Sequence, residues 1–369
     1  MTARSFVAPA SPRYVPQLTG IRALAAMLVL GLHAEQNVPA GLQAVLPFFA
    51  RGYLGVDLFF VLSGFIITHV YITALAQPSP AAIKIFLWHR FIRLYPAHVT
   101  VLGALAALVL LAGVAGVPLN DPQAWQWRGL VWQLTLLHAW GVTETLGWNA
   151  PSWSISAEWL AYLLFPLLAP VLVRLRDRES ALLMAAAALA GTAFLFTAEG
   201  WSLNAWLGPP ALTRVCGEFL CGAALCRGAA LSGAARSWSG DLLGVGAFTA
   251  FLVGASTGLQ EFALVACLAV TIWGAATSHG WLMRWLGSPA LVWLGEISYS
   301  IYMVHFPVLI VIRRGWERSG FAGWHWAGKA LALLATVALV IALAAALFHF
   351  VERPARIRLR DRMGKLGLA

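Results

Sequence analysis

The sequence predicts an all-α polytopic membrane protein with about ten transmembrane helices and both termini in the cytoplasm. Three observations lead to this fold class. The chain has 369 residues, of which 60% are hydrophobic and 11% charged, whereas a soluble domain carries about 25% charged residues. Its mean hydropathy is +0.76, and apolar runs of about 20 residues, the length that crosses a bilayer, recur from end to end. Basic residues cluster in short segments between these runs, a pattern typical of cytoplasmic loops.

The spans are predicted from the apolar runs, each close to the length that a bilayer requires. They cover residues 18–35, 53–75, 96–117, 154–173, 181–198, 209–230, 241–258, 261–278, 289–312 and 327–350. Residues 125–147 form an eleventh, weaker candidate.

The basic segments orient these spans. Residues 84–93, 174–178, 227–236 and 353–369 are all rich in Arg and Lys, so we expect them in the cytoplasm. The span that ends before residue 174 must then return to the cytoplasm, which leaves residues 125–147 on the outer side as a re-entrant or interfacial segment. Three basic residues depart from the rule and fall outside: Arg313, Arg314 and Arg318.

The chain is predicted to form one domain in a cytoplasmic membrane. A cytoplasmic tail of residues 1–17 precedes the transmembrane domain, residues 18–352, and a basic cytoplasmic tail of residues 353–369 follows. The formal net charge of +10 would suggest nucleic acid as the partner of a soluble protein. Here the basic residues fit loops that face anionic lipid, so we expect membrane lipid and no nucleic acid as partner. A polyanionic cytosolic ligand would also be attracted.

Arg22 and His33 place a cation and a titratable imidazole in the first predicted span. An α-helix advances about 100° and 1.5 Å per residue, so eleven steps bring the two side chains to one face, about 16 Å apart. Ionisable residues inside a membrane are costly to keep and mark functional sites by default. In the predicted orientation Arg22 lies near the cytoplasmic end and His33 near the outer end.

Asp57 is predicted to lie about one turn inside the outer end of the second span, at a depth similar to that of His33. A carboxylate beside an imidazole fixes its tautomer and stabilises the imidazolium, which suits a general base. We therefore expect a His33–Asp57 dyad. The alternative is that Asp57 caps a helix or pairs with Arg51.

Arg90 and Arg93 are one helical turn apart at the cytoplasmic mouth of the third span. Such a pair suits phosphates, which guanidinium groups bind through two parallel hydrogen bonds. With Arg22 at a similar depth, the three are predicted to line one anion site. Arg353, at the cytoplasmic end of the last span, either joins this site or anchors its helix, and ordinary membrane anchoring is the alternative for Arg90 and Arg93 too.

Residues for a second substrate are predicted near the outer face. Glu158, flanked by Trp153 and Trp159, opens the fourth span, and an aromatic ring beside a carboxylate suits a sugar. The alternative is a helix-start Glu within an interfacial Trp belt. In the ninth span Tyr302 and His305 share a face, and His305 either positions the acceptor or forms a hydrogen bond within the bundle. A further pair in the sixth span, Arg214 and Glu218, is predicted to be a structural ion pair.

Other chemistries have no support in the sequence. It contains no phosphate-binding Walker loop, no GxSxG elbow, no HExxH and no paired His/Cys metal spacing. We therefore expect no metal and no permanently bound cofactor.

Five motifs in consistent order make the chain resemble the acyltransferase-3 family of integral membrane O-acyltransferases. They are LTGIRALAAMLVLGLH, GVDLFFVLSGFIIT, RFIRLYP, PSWSISAEW and SYSIYMVHFPV, and the resemblance covers residues 15–355. It implies ten transmembrane helices, acyl-CoA as co-substrate on the cytoplasmic side and O-acylation of a carbohydrate or glycolipid on the outer side. His33 matches the proposed catalytic histidine of the family, Arg22 its partner arginine, and Arg90 with Arg93 its R-x-x-R pair.

Together these features predict an acyl-CoA-dependent enzyme. Arg22, Arg90, Arg93 and Arg353 would bind the donor phosphates, and His33 would either deprotonate an acceptor hydroxyl or carry the acyl group itself. Acetyl is the favoured acyl group. Alternatives are acylation of a small molecule such as a macrolide, and a sugar or lipid transporter without enzymatic activity.

Overall fold

The computed structural model describes residues 14–38, 41–119, 121–232, 238–278 and 280–365. Among these residues it contains α-helices and short 3₁₀ or π turns, with no strand. The helices are α1 (Pro16–Asn37), α2 (Leu42–Val45), α3 (Gly55–Tyr71), α4 (Pro80–Val114), α5 (Trp127–Leu134), α6 (Trp153–Arg174), α7 (Arg178–Ala198), α8 (Pro209–Leu231), α9 (Trp238–Thr257), α10 (Glu261–Thr277), α11 (Trp281–Leu286), α12 (Pro289–Glu296), α13 (Ser298–Arg318), α14 (Trp326–Leu347) and α15 (Arg353–Lys365).

Each predicted span falls on a helix of this bundle. Within the described residues, seven helical segments are long and apolar enough to cross a membrane, or eight if α12 and α13, bent by 62° at a short break, count as one span. Two further helices that coincide with predicted spans do not meet these requirements of length and apolar composition. α10 has 17 residues, and α8 carries Arg214, Glu218 and Arg227 along its length. The protein is therefore a multi-pass helical membrane protein.

The third span differs from the prediction. Residues 84–93 were expected to form a cytoplasmic loop, but they belong to α4, which runs unbroken for 35 residues from Pro80. The hydroxyl of Ser79 caps this helix by accepting a hydrogen bond from the backbone N–H of Ala82 at 3.2 Å. Pro96 lies inside the helix without ending it. Arg90 and Arg93 consequently lie on a rigid helix.

Residues 125–147 do not form a spanning helix. Their helix α5 has eight residues, a rise of about 12 Å, which is far less than the 30 Å core of a bilayer. The segment folds back on the bundle through buried polar contacts: the Nε2 atom of His98 lies 2.9 Å from the Gln133 carbonyl, and the Ser152 hydroxyl donates to the Gln133 side chain at 2.8 Å.

The two predicted tails have different outcomes. Residues 1–13 of the N-terminal tail lie outside the described residues, and α1 begins at Pro16. The C-terminal tail was expected to follow the last span as a basic tail, but residues 353–365 form α15, joined to α14 by a π turn over Phe348–Glu352. Residues 366–369, and residues 233–236 of the basic segment 227–236, also lie outside the described part of the chain.

Close helix packing positions α1 in the interior of the bundle. A Cβ atom on Gly20 would lie 2.0 Å from the Leu286 carbonyl oxygen, and one on Gly295 would lie 1.9 Å from that of Thr19. Small residues of this kind let helix backbones approach closely in membrane proteins. The start of α1, and with it Arg22, is thus held tightly against α11 and α12.

Candidate active site

Arg22, Arg90 and Arg93 lie in the wall between two cavities of the bundle. The larger cavity, here called the vestibule, has a volume of about 1010 Å³. The smaller one, the inner chamber, has a volume of about 100 Å³. All three arginines line both cavities, and we call them the neck. The predicted grouping of these three guanidinium groups is therefore present in the structure.

The vestibule is strongly cationic. Besides the neck it is lined by Arg353, which the sequence associated with the same site, and by Arg356 and Arg360, which it did not. All three belong to α15. Its wall also contains aromatic and imidazole side chains, among them Tyr71, His89 and His349.

Aromatic and carboxylate side chains hold the R-x-x-R pair. The guanidinium of Arg90 donates a hydrogen bond to the Tyr71 hydroxyl at 3.1 Å and lies 5.1 Å from the centre of the same ring. That of Arg93 lies 5.2 Å from the Tyr299 ring centre and forms an ion pair with Glu352. Cation–π contacts and ion pairs of this type fix the direction of a guanidinium. Both groups are thereby oriented before any ligand is present.

Arg22 has a weaker tether than the other neck residues. Its Nε atom donates to the Ser298 hydroxyl at 3.3 Å, while Glu158 supplies its strongest favourable charge contact. Within the described part of the chain, neutral Ser298 of α13 is its one hydrogen-bond partner, so Arg22 keeps donors for a ligand.

The inner chamber holds a chain of polar groups. Tyr162 donates a hydrogen bond to the Glu158 carboxylate at 2.6 Å, and its hydroxyl oxygen lies 3.3 Å from that of Ser63. Glu158 was expected near the outer face with the acceptor, but it lines the same chamber as the neck arginines. The start of α6 is recessed in the bundle, with residues 151–157 all buried, which brings Glu158 to their level.

Tyr302, on α13, is another residue in the wall of the inner chamber. Its hydroxyl donates to the Pro151 carbonyl at 2.7 Å and accepts from Ser154 at 2.8 Å. On its other side the Tyr302 ring centre lies 5.6 Å from that of His305. Tyr302 therefore separates the chamber from a pair of histidines.

His33 and His305 form this pair, with ring centres 5.1 Å apart. The Nδ1 atom of His33 lies 3.1 Å from the Val29 carbonyl, and that of His305 lies 2.7 Å from the Tyr302 carbonyl. A carbonyl oxygen only accepts, so each Nδ1 carries the hydrogen, and each neutral ring presents Nε2 as an acceptor. Among the described residues, the buried Nε2 atom of His305 has no hydrogen-bond partner. His33 lines neither of the two cavities described above.

The predicted His33–Asp57 dyad is wrong. Asp57 is fully buried and forms a bidentate ion pair with Arg214, at 2.8 and 2.5 Å. Glu218 lies 3.7 Å from the same guanidinium, so the predicted Arg214–Glu218 pair exists as part of a three-residue cluster. The alternative partner, Arg51, pairs with Glu261. The tautomer of His33 is set by the Val29 carbonyl instead.

Trp153 does not face either cavity. Its buried ring packs against Phe60, with ring centres 5.9 Å apart, and lies 5.3 Å from the Arg214 guanidinium. Trp153 precedes Glu158 by five positions, and side chains five positions apart on a helix point about 140° apart. Their closeness in sequence therefore does not bring the Trp153 ring beside Glu158.

Sequence reasoning missed several residues of the site. Tyr162 follows Glu158 by four positions, a spacing that brings two side chains together on a helix and was available as a signal. Glu352, the fully buried partner of Arg93, lies 259 residues away from it, and no local pattern indicated the contact. Among the described residues, no group of three or more His, Cys, Asp or Glu side chains is placed to hold a metal ion.

Comparisons with known proteins give consistent matches. Residues 15–349 match the family model of an acyltransferase domain. The chain is 32% identical to the acyltransferase MdmB of Streptomyces mycarofaciens, over 93% of this chain and 92% of that protein. It is 26% identical to the putative peptidoglycan O-acetyltransferase YrhL of Bacillus subtilis, over 93% of this chain, but spans only 55% of that protein. The peptidoglycan O-acetyltransferase OatA of Listeria monocytogenes is 38% identical over 24% of this chain and 12% of its own length. No solved structure matches.

Proposed function

This chain belongs to the acyltransferase-3 family, and from that premise we propose that it is an acyl-CoA-dependent O-acyltransferase. In this proposal a short acyl group, acetyl by preference, moves from cytoplasmic acyl-CoA to a hydroxyl of a carbohydrate or glycolipid at the outer side of a cytoplasmic membrane. The match to an acyltransferase family model argues against the alternative of a carrier without enzymatic activity.

One observation carries the proposal: Arg22, Arg90 and Arg93 line both cavities at once. A donor with a polyanionic nucleotide end and a thin, flexible arm fits such a neck. Its phosphates would lie among the guanidinium groups of the vestibule, where charge-assisted hydrogen bonds are strong. Its arm would pass between them into the inner chamber.

His33 is proposed as the general base of the transfer. Its Nε2 atom takes the proton of the acceptor hydroxyl, and the hydroxyl oxygen attacks the thioester carbonyl. The carbon–sulfur bond then breaks, so the acyl group leaves with the acceptor oxygen and CoA leaves as a thiolate. General-base catalysis of this kind contributes about 10²–10⁴-fold to a rate. The Val29 carbonyl, at 3.1 Å from Nδ1, supports this role by keeping Nε2 unprotonated in the neutral ring.

His305 and Tyr302 are proposed to position the reactants. The unpartnered Nε2 atom of His305 can accept a hydrogen bond from a second hydroxyl of the acceptor, which favours a polyol. Tyr302 stands between the inner chamber and the histidines, so the thioester reaches His33 only when this side chain or the adjacent Phe59, with ring centres 6.2 Å apart, rotates.

Transfer through an acyl-histidine is the second route. Here His33 Nε2 attacks the thioester directly, and the acceptor hydroxyl then displaces the imidazole. Incubation with labelled acetyl-CoA in the absence of any acceptor distinguishes the two routes. Label that stays on wild-type protein but not on the His33→Ala variant supports the covalent route.

The acceptor class rests on the relatives. Two of them are named as peptidoglycan O-acetyltransferases, although the chain covers only part of each, and this favours a cell-envelope carbohydrate. A small-molecule acceptor such as a macrolide is tested in the same assay.

The test uses the purified protein in proteoliposomes with labelled acetyl-CoA and a panel of acceptors: peptidoglycan fragments, lipid-linked sugars and macrolides. We expect transfer by the wild type and a loss of at least 100-fold in the His33→Ala variant, with CoA binding retained. His325→Ala, which removes an exposed histidine, serves as the control and should remain active. Full activity of the His33→Ala variant would overturn the assignment.

The neck is tested separately. Arg90→Ala and Arg93→Ala should chiefly raise the acyl-CoA concentration needed for half-maximal rate. An unchanged donor requirement would remove both residues from the donor site.

A further inference from the structure

The vestibule contains a second group of guanidinium groups, separate from the neck. Arg353, Arg356 and Arg360 lie at positions i, i+3 and i+7 of α15, which places them within an arc of about 60° on one face of the helix. All three line the vestibule. Arg358 and Arg362 of the same helix do not, and both are exposed.

The position of α15 is set by contacts with the site. The indole N–H of Trp88, on α4, donates to the Leu359 carbonyl at 3.4 Å. The π turn of Phe348–Glu352 joins α14 to α15. Within that turn the buried Glu352 forms an ion pair with Arg93 of the neck and lies 3.5 Å from Arg356. One carboxylate therefore ties the neck to the face of α15.

The vestibule has more positive charge than its own acids neutralise. Six arginines line it among the described residues, whereas three carboxylates interact with them: Glu296 in the wall, Glu352 behind it and Glu158 in the inner chamber. Arg90, Arg93 and Arg356 lie close enough to repel one another. A ligand that carries negative charge in two separate groups would relieve this repulsion.

We propose that Arg356 and Arg360 form a second phosphate subsite, which binds the 3′-phosphate of the donor ribose while the neck binds the pyrophosphate. This inference rests on the proposed acyl-CoA donor. A phosphate monoester carries a charge of about −1.5 to −2 and three acceptor oxygens, and two guanidinium groups one helical turn apart match it with paired donors. The enzyme thereby distinguishes CoA from 3′-dephospho-CoA.

The experiment measures the binding of CoA and of 3′-dephospho-CoA to the purified full-length protein by calorimetry, in a neutral detergent. We expect wild-type protein to bind CoA at least tenfold more tightly than 3′-dephospho-CoA, as the loss of charge-assisted hydrogen bonds predicts. The Arg356→Ala and Arg360→Ala variants should lose that preference, because their affinity falls for CoA and not for 3′-dephospho-CoA. Arg358→Ala is the matched control and should behave like the wild type with both ligands.

Each other outcome has a defined meaning. Equal binding of the two ligands by wild-type protein would refute the subsite while leaving the donor intact. Absence of binding to either ligand would refute both the subsite and the proposed donor. The same measurements with added phosphatidylglycerol test whether a lipid headgroup is the source of the phosphate. If Arg356→Ala and Arg360→Ala weaken the binding of CoA only when this lipid is present, α15 binds the membrane surface and the proposal is wrong.

Discussion

Replacing Asp57 with asparagine tests whether this carboxylate holds the bundle together or serves the base. Asp57 is 0% exposed and Arg214 is 1% exposed, so the pair lies entirely inside the protein. Asparagine keeps the size of the side chain and removes its charge. The Arg214 guanidinium then retains the Leu203 carbonyl at 2.7 Å and Glu218 at 3.7 Å.

The expected loss of stability follows from these contacts. Removing one partner of a buried ion pair destabilises a protein by about 3–5 kcal/mol, because the remaining charge is left buried. Glu218 stays as a more distant counter-ion, so we expect a value near the lower end, about 3 kcal/mol. That corresponds to a fall in the melting temperature on the order of 5–10 °C. The folded fraction should transfer the acyl group at close to the wild-type rate, since Asp57 does not contact His33.

The assay combines thermal unfolding of the detergent-solubilised variant with its rate of acyl transfer at a temperature where it remains folded. Glu317→Gln removes an exposed carboxylate from a pair with Arg313 and should cost less than about 1 kcal/mol. A double variant, Asp57→Asn with Arg214→Gln, should lose less stability than the sum of its single changes. A melting temperature equal to that of the wild type, with activity reduced by more than 100-fold, would refute the reasoning and restore Asp57 to the chemistry.

Two further predictions concern packing and pH. Gly64→Ala should destabilise the protein by about 1–3 kcal/mol, because a Cβ atom there would lie 1.9 Å from the Phe219 carbonyl oxygen. The control is Gly103→Ala, where a Cβ atom would have no neighbour within 4 Å among the described residues. Equal melting temperatures for the two variants would contradict the prediction. Burial, together with the neighbouring His98, lowers the pKa of His138 from 6.5 to about 3. Between these two pH values the His138 imidazole is protonated in the unfolded chain but stays neutral in the folded protein. Stability should therefore decline from pH 6.5 towards pH 3, and His138→Gln should decline less steeply when unfolding is measured across that range; identical slopes would argue against a neutral buried His138.

The positions of the helices were predictable from the sequence because the thickness of a bilayer limits the length of an apolar run. Every predicted span falls on a helix, and α1 differs from its prediction by two residues at each end. The sharing of one face by Arg22 and His33 is likewise a property of a single helix. The long helix α4 was only half recognised, because polar residues such as Arg90 hide the continuation of a helix beyond the apolar run.

The predictable parts of the site were the motifs within single helices and the similar depth of the three arginines. Arg90 and Arg93 were recognised by their spacing, and they do lie with Arg22 in one wall. Glu158 was assigned to an acceptor site together with Tyr302 and Trp153. Tyr302 does line the same chamber as Glu158, whereas Trp153 does not and the neck arginines do. Arg356 was missed, although it follows Glu352 by four positions and the two side chains lie 3.5 Å apart. Its place in the vestibule wall depends on contacts between helices that are distant in sequence.

By itself, the sequence determined the membrane class of the protein, the segments that become helices and the motifs that identify its family. The tertiary structure alone decided which charges meet: Asp57 pairs with Arg214, 157 residues away, and His33 lies beside His305. The physical reason is that periodicity fixes the face on which a residue lies within its own helix. The rotation and depth of one helix against another depend on packing over the whole bundle, and these decide which faces come together.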